Sequence, residues 1–506
     1  MNRFEITRKD ISIDTLFQII ENRPKIILSK DVQDDIKKSR NNLASALGYE
    51  NAIYGVNTGF GKLESERIND SDLNKLQENL IRSHAVGVGD YVEEDVCYVT
   101  LLLKIICMAK GFSGVRLELV EFLLFFINSN TIPAFPSQGS VGASGDLAPL
   151  AHMSLPILGE GNLWNAGSIV LAKNFLTKNR LFAPKLKYKE GLALINGTQF
   201  STALAVVSLH RIESTKKIAD VASAMALDAL ECSLSPFDNR IHSLKKHKGQ
   251  IEVAENIRNL LAGSNIVKSH KNCDRVQDMY SIRCIPQVHG ASRECIKFSY
   301  KNTEYEINAV SDNPIVIDRD NIVSAGNFHA EMIAKSLDVL GLAVSEYSNI
   351  SERRIYNLVD GKYGLPLFLV KNPGINSGMM MAHVTAASLA SENKFLSNPA
   401  STDTIPTSAG QEDHVSMAPI AGLKLLKSIK NLQLILSIEL LCTSQAIDFR
   451  TSETSPVLNE VLAVIRSEIP FIKADNVVIS NEIHKLNKMV GDQRILNLVS
   501  KEVNLL

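Results

Sequence analysis

Ser144 stands among three glycines in the run Gly139-Ser140-Val141-Gly142-Ala143-Ser144-Gly145-Asp146-Leu147-Ala148-Pro149-Leu150. No side chain before Leu147 is larger than valine, so the backbone can bend tightly and pack closely against itself. A glycine-rich turn before a helix is the plainest reading. A dinucleotide fingerprint needs GxGxxG, whereas Gly139, Gly142 and Gly145 give GxxGxxG; a phosphate loop needs Gly-Lys-Ser/Thr, and no lysine is present. A nucleophile elbow needs a glycine two residues after its serine, where Asp146 stands, so a serine hydrolase is a near miss. A further chemistry is internal. Attack of the Gly145 nitrogen on the Ala143 carbonyl carbon, with loss of two waters, would give a five-membered imidazolinone with an exocyclic methylene, an electrophile. Glycine supplies the unhindered nitrogen that this attack needs. Spacing alone does not select the ring.

Other residues carry chemistry only in company. Tyr54 lies in Tyr54-Gly55-Val56-Asn57-Thr58-Gly59-Phe60-Gly61, where a packing role with a satisfied hydroxyl is the default. Gln277, Tyr280 and Arg283 share Val276-Gln277-Asp278-Met279-Tyr280-Ser281-Ile282-Arg283-Cys284. There the arginine would serve either an ordinary ion pair or a bidentate grip on a carboxylate. Asn196 precedes a long helical stretch as a cap or turn residue. His84 is a lone histidine, by default a satisfied structural one. His329-Ala330-Glu331 begins like a zinc deaminase signature, but no Pro-Cys-x-x-Cys follows and no His-Glu-x-x-His exists among 11 histidines, so no metal is assigned. Asp413-His414 near Ser416 suggests a hydrolase triad only by adjacency. No motif identifies a Schiff-base lysine for pyridoxal phosphate.

Taken together, these segments resemble the histidine and aromatic amino acid ammonia-lyases. The family signature is an Ala-Ser-Gly matured into methylidene-imidazolone (MIO), and the match continues through Asp146-Leu147-Ala148-Pro149-Leu150-Ala151-His152-Met153-Ser154. The resemblance implies that Ala143, Ser144 and Gly145 form the MIO, with Ser144 becoming its methylidene carbon. It implies that Tyr54 and Tyr280 take part in proton transfer and that Arg283 holds the substrate carboxylate. Asn196, Gln277 and Phe328 would line the ring and substrate. Met279 replaces a frequent proline, Ala325 a common glycine, and Gly410 a common asparagine. Ser83-His84 and Gln411-Glu412-Asp413-His414 resemble the histidine branch, in which His84 and Glu412 would address an imidazole; aromatic enzymes commonly read Asn-Gln-Asp at the second segment.

Long helices must carry these loops. Thr198 to Ser235 contains neither glycine nor proline and predicts one helix. A second is expected from about His329 through Arg354. A third lies between Gly422 and Pro456, with Leu425, Ile429, Leu432, Leu436 and Leu440 on one face and Leu434, Ile438 and Leu441 on another. Shorter helices are expected over Asp72 to Ile81, Glu118 to Asn128 and Met379 to Lys394. The expected organisation is a mixed domain, 1–198, carrying the MIO loop, a long-helix bundle, 199–466, and a helical or mixed appendage, 467–506. The resemblance places this mainly α architecture in the aspartase/fumarase-like type and implies a homotetramer with shared active sites.

The 506 residues are 45% hydrophobic and 22% charged with a net charge of -1, as in an ordinary globular protein without the basic excess of a nucleic-acid or membrane-surface binder. Seven cysteines without a CxxC pair, no secretory leader and no membrane span lead to the expectation of a reduced cytoplasm. The expected reaction is the elimination of ammonia from L-histidine to give trans-urocanate. Rival readings are a tyrosine or phenylalanine lyase or aminomutase, a serine hydrolase and an inactive binding protein. Intact mass separates the self-made electrophile from the last two: the chain should be lighter by two waters, and Ser144→Ala should restore the full mass.

Overall fold

The computed structural model describes residues 2–47, 52–270 and 275–506. Cys273 lies outside the described residues, and the other six cysteines are free thiols. No described helix is long and apolar enough to cross a membrane.

Four long helices dominate the chain: Gln199–Ala229, Ile285–Glu306, Glu331–Val359 and Ala418–Ile447. The first is uninterrupted because nothing in it breaks the hydrogen-bond ladder. It stops before the expected Ser235 because Glu231 takes a left-handed φ of 51°. The Glu231 N–H donates to the Asp228 carbonyl at 2.9 Å and the Cys232 N–H to the Leu227 carbonyl at 3.0 Å, the paired bonds of a Schellman stop. A glutamate in the place usually taken by glycine hides this boundary from sequence reading. Of the two apolar faces expected in Ala418–Ile447, every named residue is buried except Leu434, which is partly exposed. The helix Ile285–Glu306 is not among those expected from sequence; its Pro286 falls in the first turn, where the missing N–H costs nothing.

The shorter helices expected from sequence form as Leu73–His84, Leu117–Asn128 and Met380–Leu396. The chain divides into two compact units. One comprises 1–208, 299–338 and 399–423; the other comprises 209–298, 339–398 and 424–506.

The first unit is mixed. Strands Arg3–Ile6 and Lys25–Leu28 pair in parallel across the helix Ile13–Asn22, whose first turn is capped by Ser12. Thr131–Ala134, Asn162–Asn165 and Ser168–Leu171 form an antiparallel sheet. Pro136–Gln138 pairs antiparallel with Val88–Tyr91 and delivers the chain into the glycine run. The helix Glu94–Ala109, which packs against Thr131–Ala134 and Leu117–Asn128, is buried almost end to end. Where Gln199–Ala229 meets Ala418–Ile447, a Cβ on Gly422 would lie 2.7 Å from Leu204 Cβ, so only glycine permits that crossing.

The second unit is a helical bundle stitched by buried polar groups. Asp220 accepts from His289 Nδ1 at 2.8 Å, Arg293 Nη2 at 2.7 Å and Asn256 Nδ2 at 2.9 Å. Glu439 accepts from Arg354 Nη2 at 3.0 Å, both side chains wholly buried. Asn393 donates to Ser348 Oγ and to the Ser428 carbonyl, both at 2.9 Å, joining three helices. These buried hydrogen bonds favour one helix register, because a shifted register would break them in a place where water cannot replace them. Gly290 brings its helix against Lys248–Leu260, and a Cβ there would lie 2.5 Å from the Gln250 nitrogen. Backbone cannot swing aside as a side chain does, so Gly290→Ala should destabilise the protein by about 1–3 kcal/mol, measurable as a lowered midpoint in thermal or denaturant unfolding.

Candidate active site

The glycine run owes its composition to two close approaches. Gly145 has a φ of 72° and pairs in parallel with Gly197; a Cβ on Gly145 would lie 2.2 Å from the Gly197 carbonyl oxygen. Gly142 has a φ of 67°, and a Cβ there would lie 2.3 Å from Ser416 Oγ. Both residues therefore need glycine for conformation and for space. The Asp146 N–H donates to the Gly197 carbonyl at 2.8 Å, continuing the contact into the helix Leu147–Ser154.

Asp146 does not cap its own helix. Its carboxylate accepts from the Ser201 N–H at 2.8 Å and Ser201 Oγ at 2.7 Å, so it satisfies an end N–H of Gln199–Ala229 and faces the positive end of that helix. Burial nevertheless pushes its carboxyl up to about 6, against the pull of these bonds. On the other side of Gly197, Asn196 ends the short helix Glu190–Ile195 rather than capping the long one. Its Nδ2 donates to the Ser144 carbonyl at 2.9 Å, while its Oδ1 is buried without a partner. Lys104, which interrupts an apolar stretch in the sequence, is buried and donates to the carbonyls of Ala193 at 3.1 Å and Asn196 at 2.8 Å. An ammonium thus closes the negative end of Glu190–Ile195. Burial pulls its pKa down to about 8.

A second segment folds over the serine. Met417 N–H donates to the Val141 carbonyl at 2.9 Å, Ser416 Oγ donates to the Gly142 carbonyl at 3.1 Å, and Ala143 packs with Val415 and Met417. This brings Glu412 to Ser144, whose Oγ donates to Glu412 Oε1 at 2.7 Å. Glu412 Oε2 accepts from Thr407 Oγ1 at 2.7 Å and Ser408 Oγ at 2.6 Å. Burial raises the Glu412 pKa, but the three hydroxyl donors outweigh it, and the carboxyl titrates below its ordinary value. Gly410 has a φ of 83° with open space around a notional Cβ. Its need is conformational, and asparagine is the other residue that enters this region readily, which accounts for the exchange between the two.

His84 closes the helix Leu73–His84. Its Nδ1 lies 2.9 Å from the Leu80 carbonyl, which can only accept, so the hydrogen is on Nδ1 and Nε2 keeps its lone pair. Burial lowers the His84 pKa despite this bond and the nearby Glu412. The following turn is held by the Gly87 N–H, which donates to His152 Nε2 at 2.9 Å. Tyr54 accepts from the Gly61 N–H at 3.0 Å and meets Phe60 edge-on. Burial raises the phenol pKa, and the carboxylates of Glu64 and Glu412 push in the same direction.

Tyr54, His84, Ala143, Ser144, Gly145, Asn196, Phe328 and Glu412 all belong to the first compact unit, whereas Gln277, Tyr280 and Arg283 belong to the second. Phe328 is half-buried just before Glu331–Val359. Gln277 and Tyr280 are exposed, and Arg283 lies over the Tyr280 ring at 4.4 Å with Nε buried and unbonded. Sequence reading missed Lys104, Asp146, Thr407, Ser408 and Ser416 as supports of the site. Only the lysine within an apolar stretch carried a signal.

The Ala143-Ser144-Gly145 segment fits the ring implied by its motif: Gly145 has no side chain to obstruct closure, the flanking glycines carry the bend, and Asn196 holds the Ser144 carbonyl. Fold and site thus define a mainly helical protein presenting Ala-Ser-Gly to an ionised carboxylate. The family model for aromatic amino acid lyases matches residues 11–467, and the chain belongs to that family of carbon–nitrogen lyases, whose members use MIO. A protein of Legionella pneumophila strain Philadelphia 1 named histidine ammonia-lyase is 43% identical, with 97% of each chain covered. The structure of histidine ammonia-lyase from Trypanosoma cruzi superposes with a TM-score of 0.90 at 39% identity, covering 99% of this chain and 96% of that one. Tyrosine aminomutase from Streptomyces globisporus gives a TM-score of 0.94 at 30% identity, with both chains fully covered.

The hydroxyls of Thr407 and Ser408 favour the ionised form of Glu412, so removing them must raise its pKa. In Thr407→Val/Ser408→Ala the acid limb of the kcat/KM profile should move upward by about one pH unit. A pH–rate series against wild type checks this.

Proposed function

We propose that this chain removes ammonia from L-histidine to give trans-urocanate, the first step in breaking that amino acid down. The observation that carries the reading is Glu412, an ionised carboxylate 2.7 Å from the Ser144 Oγ that leaves as water on ring formation, still held by Thr407 and Ser408 and in the same unit as the neutral His84. An imidazole has one N–H donor and one acceptor nitrogen at neutral pH. Glu412 supplies an acceptor for its N–H, and His84 Nε2 a second acceptor for the imidazolium form. An apolar phenyl ring would leave the His84 Nε2 acceptor without a donor, at a desolvation cost of about 1–3 kcal/mol. That cost is the physical argument against phenylalanine as the preferred substrate.

Ala143, Ser144 and Gly145 condense into MIO, which supplies an electrophile for the substrate. Asn196 and Phe328 hold the ring's surroundings, Asn196 through its bond to the Ser144 carbonyl. Arg283 pairs with the substrate carboxylate, with Gln277 beside it. Tyr54 and Tyr280 move the β-proton. The raised pKa of Tyr54 keeps its phenol protonated at rest, so Tyr54 suits the donor role until a cation or the substrate changes its surroundings. We place Gln277, Tyr280 and Arg283 at the active site of a neighbouring copy in a homotetramer. The 95% exposure of Val276, the 70% exposure of Tyr280 and the unbonded Arg283 Nε suit a segment that another copy covers. The free thiols suit a reducing cytoplasm.

The likeness to a tyrosine aminomutase supports a second reading, in which the same machinery acts on tyrosine. Incubation with separate amino acids distinguishes them. Histidine should give urocanate, read by its ultraviolet absorbance, with coumarate, cinnamate and β-amino acids at background; coumarate or β-tyrosine without urocanate would overturn the proposal. His84→Ala should raise KM for histidine more than it lowers kcat, if that residue grips the imidazole rather than moving the β-proton.

A further inference from the structure

The Phe328 loop and the Glu412 segment meet at a second cluster. Among the described residues, His329, Glu331 and His414 each bring a donor atom within 4.8 Å of the others. His329 Nε2 and His414 Nδ1 stand 3.4 Å apart, long for a hydrogen bond between two rings. Two nitrogens bound to one tetrahedral zinc, each at about 2.0–2.1 Å, lie roughly 3.3–3.4 Å apart, so this spacing is already that of a ligand pair. Glu331 adds an independent sign. Its Oε1 pairs with Lys335 at 3.0 Å, whereas its Oε2 is buried without a hydrogen-bond partner. A buried carboxylate oxygen without a donor is costly, and a cation supplies what is missing.

We propose that His329 Nε2, His414 Nδ1 and Glu331 Oε2 form a site for a borderline divalent metal of the zinc class. Two imidazoles and one carboxylate suit Zn2+, Co2+ or Ni2+, and not Ca2+ or Mg2+, which take oxygen ligands. Lys335 orients the carboxylate through its other oxygen, at some cost in affinity because it is a cation. His414 is exposed, so the ion enters from solvent and a water completes its coordination. No motif announces the site, because His414 stands 85 positions from His329. The sequence expectation of no metal rested on the absence of contiguous signatures, which this arrangement does not need. The metal would pin the segment bearing Glu412 to the start of Glu331–Val359, and the proposal requires neither the ring nor histidine as substrate.

The test uses the full chain after chelator treatment, titrated with Zn2+ by calorimetry and with Co2+ by visible absorption. Wild type should bind one ion per chain at this site and give the intense bands of low-coordinate cobalt. His414→Ala, at an exposed position, should retain the fold by circular dichroism, lose the bands and bind at least about tenfold more weakly. His329→Gln provides a second ligand deletion and should behave alike. Zn2+ should raise the melting midpoint of wild type more than that of either variant. No binding to wild type, or equal stoichiometry and affinity in wild type and folded His414→Ala, would overturn the proposal.

Discussion

The candidate site depends on one backbone contact, the approach of Gly145 to Gly197. Each residue presents main chain to the other, and a single methyl group on Gly145 would sit 2.2 Å from a carbonyl oxygen that cannot rotate away. From this contact, supports extend in both directions along both segments. Asp146 ties the loop to the N-terminal turn of Gln199–Ala229, and Asn196 ties the short helix to the Ser144 carbonyl. Lys104 fixes the end of that short helix from below. Ser144 is thereby held by hydrogen bonds from buried groups on several segments, which is how a loop acquires the rigidity of a secondary-structure element.

Three titratable groups near the serine are driven to different charge states by their surroundings. Glu412 is kept ionised by three hydroxyl donors, His84 is kept neutral by burial with its hydrogen turned toward a carbonyl, and Tyr54 is kept protonated by burial and neighbouring carboxylates. Carboxyl, imidazole and phenol are thus set to ionised, neutral and protonated forms side by side. The causes are ordinary hydrogen bonds and desolvation, each traceable to a named neighbour.

The helices show the same dependence on local detail. Apolar periodicity was sufficient to locate Ala418–Ile447, because a helix buried on two faces carries an unmistakable pattern. Ile285–Glu306, which contains Pro286 and Gly290, was not among the expected helices. One occupies a first-turn position and the other makes a close helix crossing, and neither fact is local. The end of Gln199–Ala229 was misjudged for the related reason that a glutamate adopts the left-handed conformation usually left to glycine. The glycine run was legible as tightly packed, but its partners were not: Ser416 meets Gly142 across 274 positions, and no pairing rule in sequence links them.

Residue types and motif spacing alone determined the mainly helical class, the Ala143-Ser144-Gly145 unit, the resemblance to the ammonia-lyases and the residues flanking its chemistry. These are properties of order along the chain, set by side-chain size, helical period and the atoms available to react. Tertiary structure alone decided that Glu412 touches Ser144, that Thr407 and Ser408 hold its charge, and that His329, Glu331 and His414 converge. A hydrogen bond or a shift in pKa is decided over a few ångströms in space, and only folding brings residues far apart in sequence within that range.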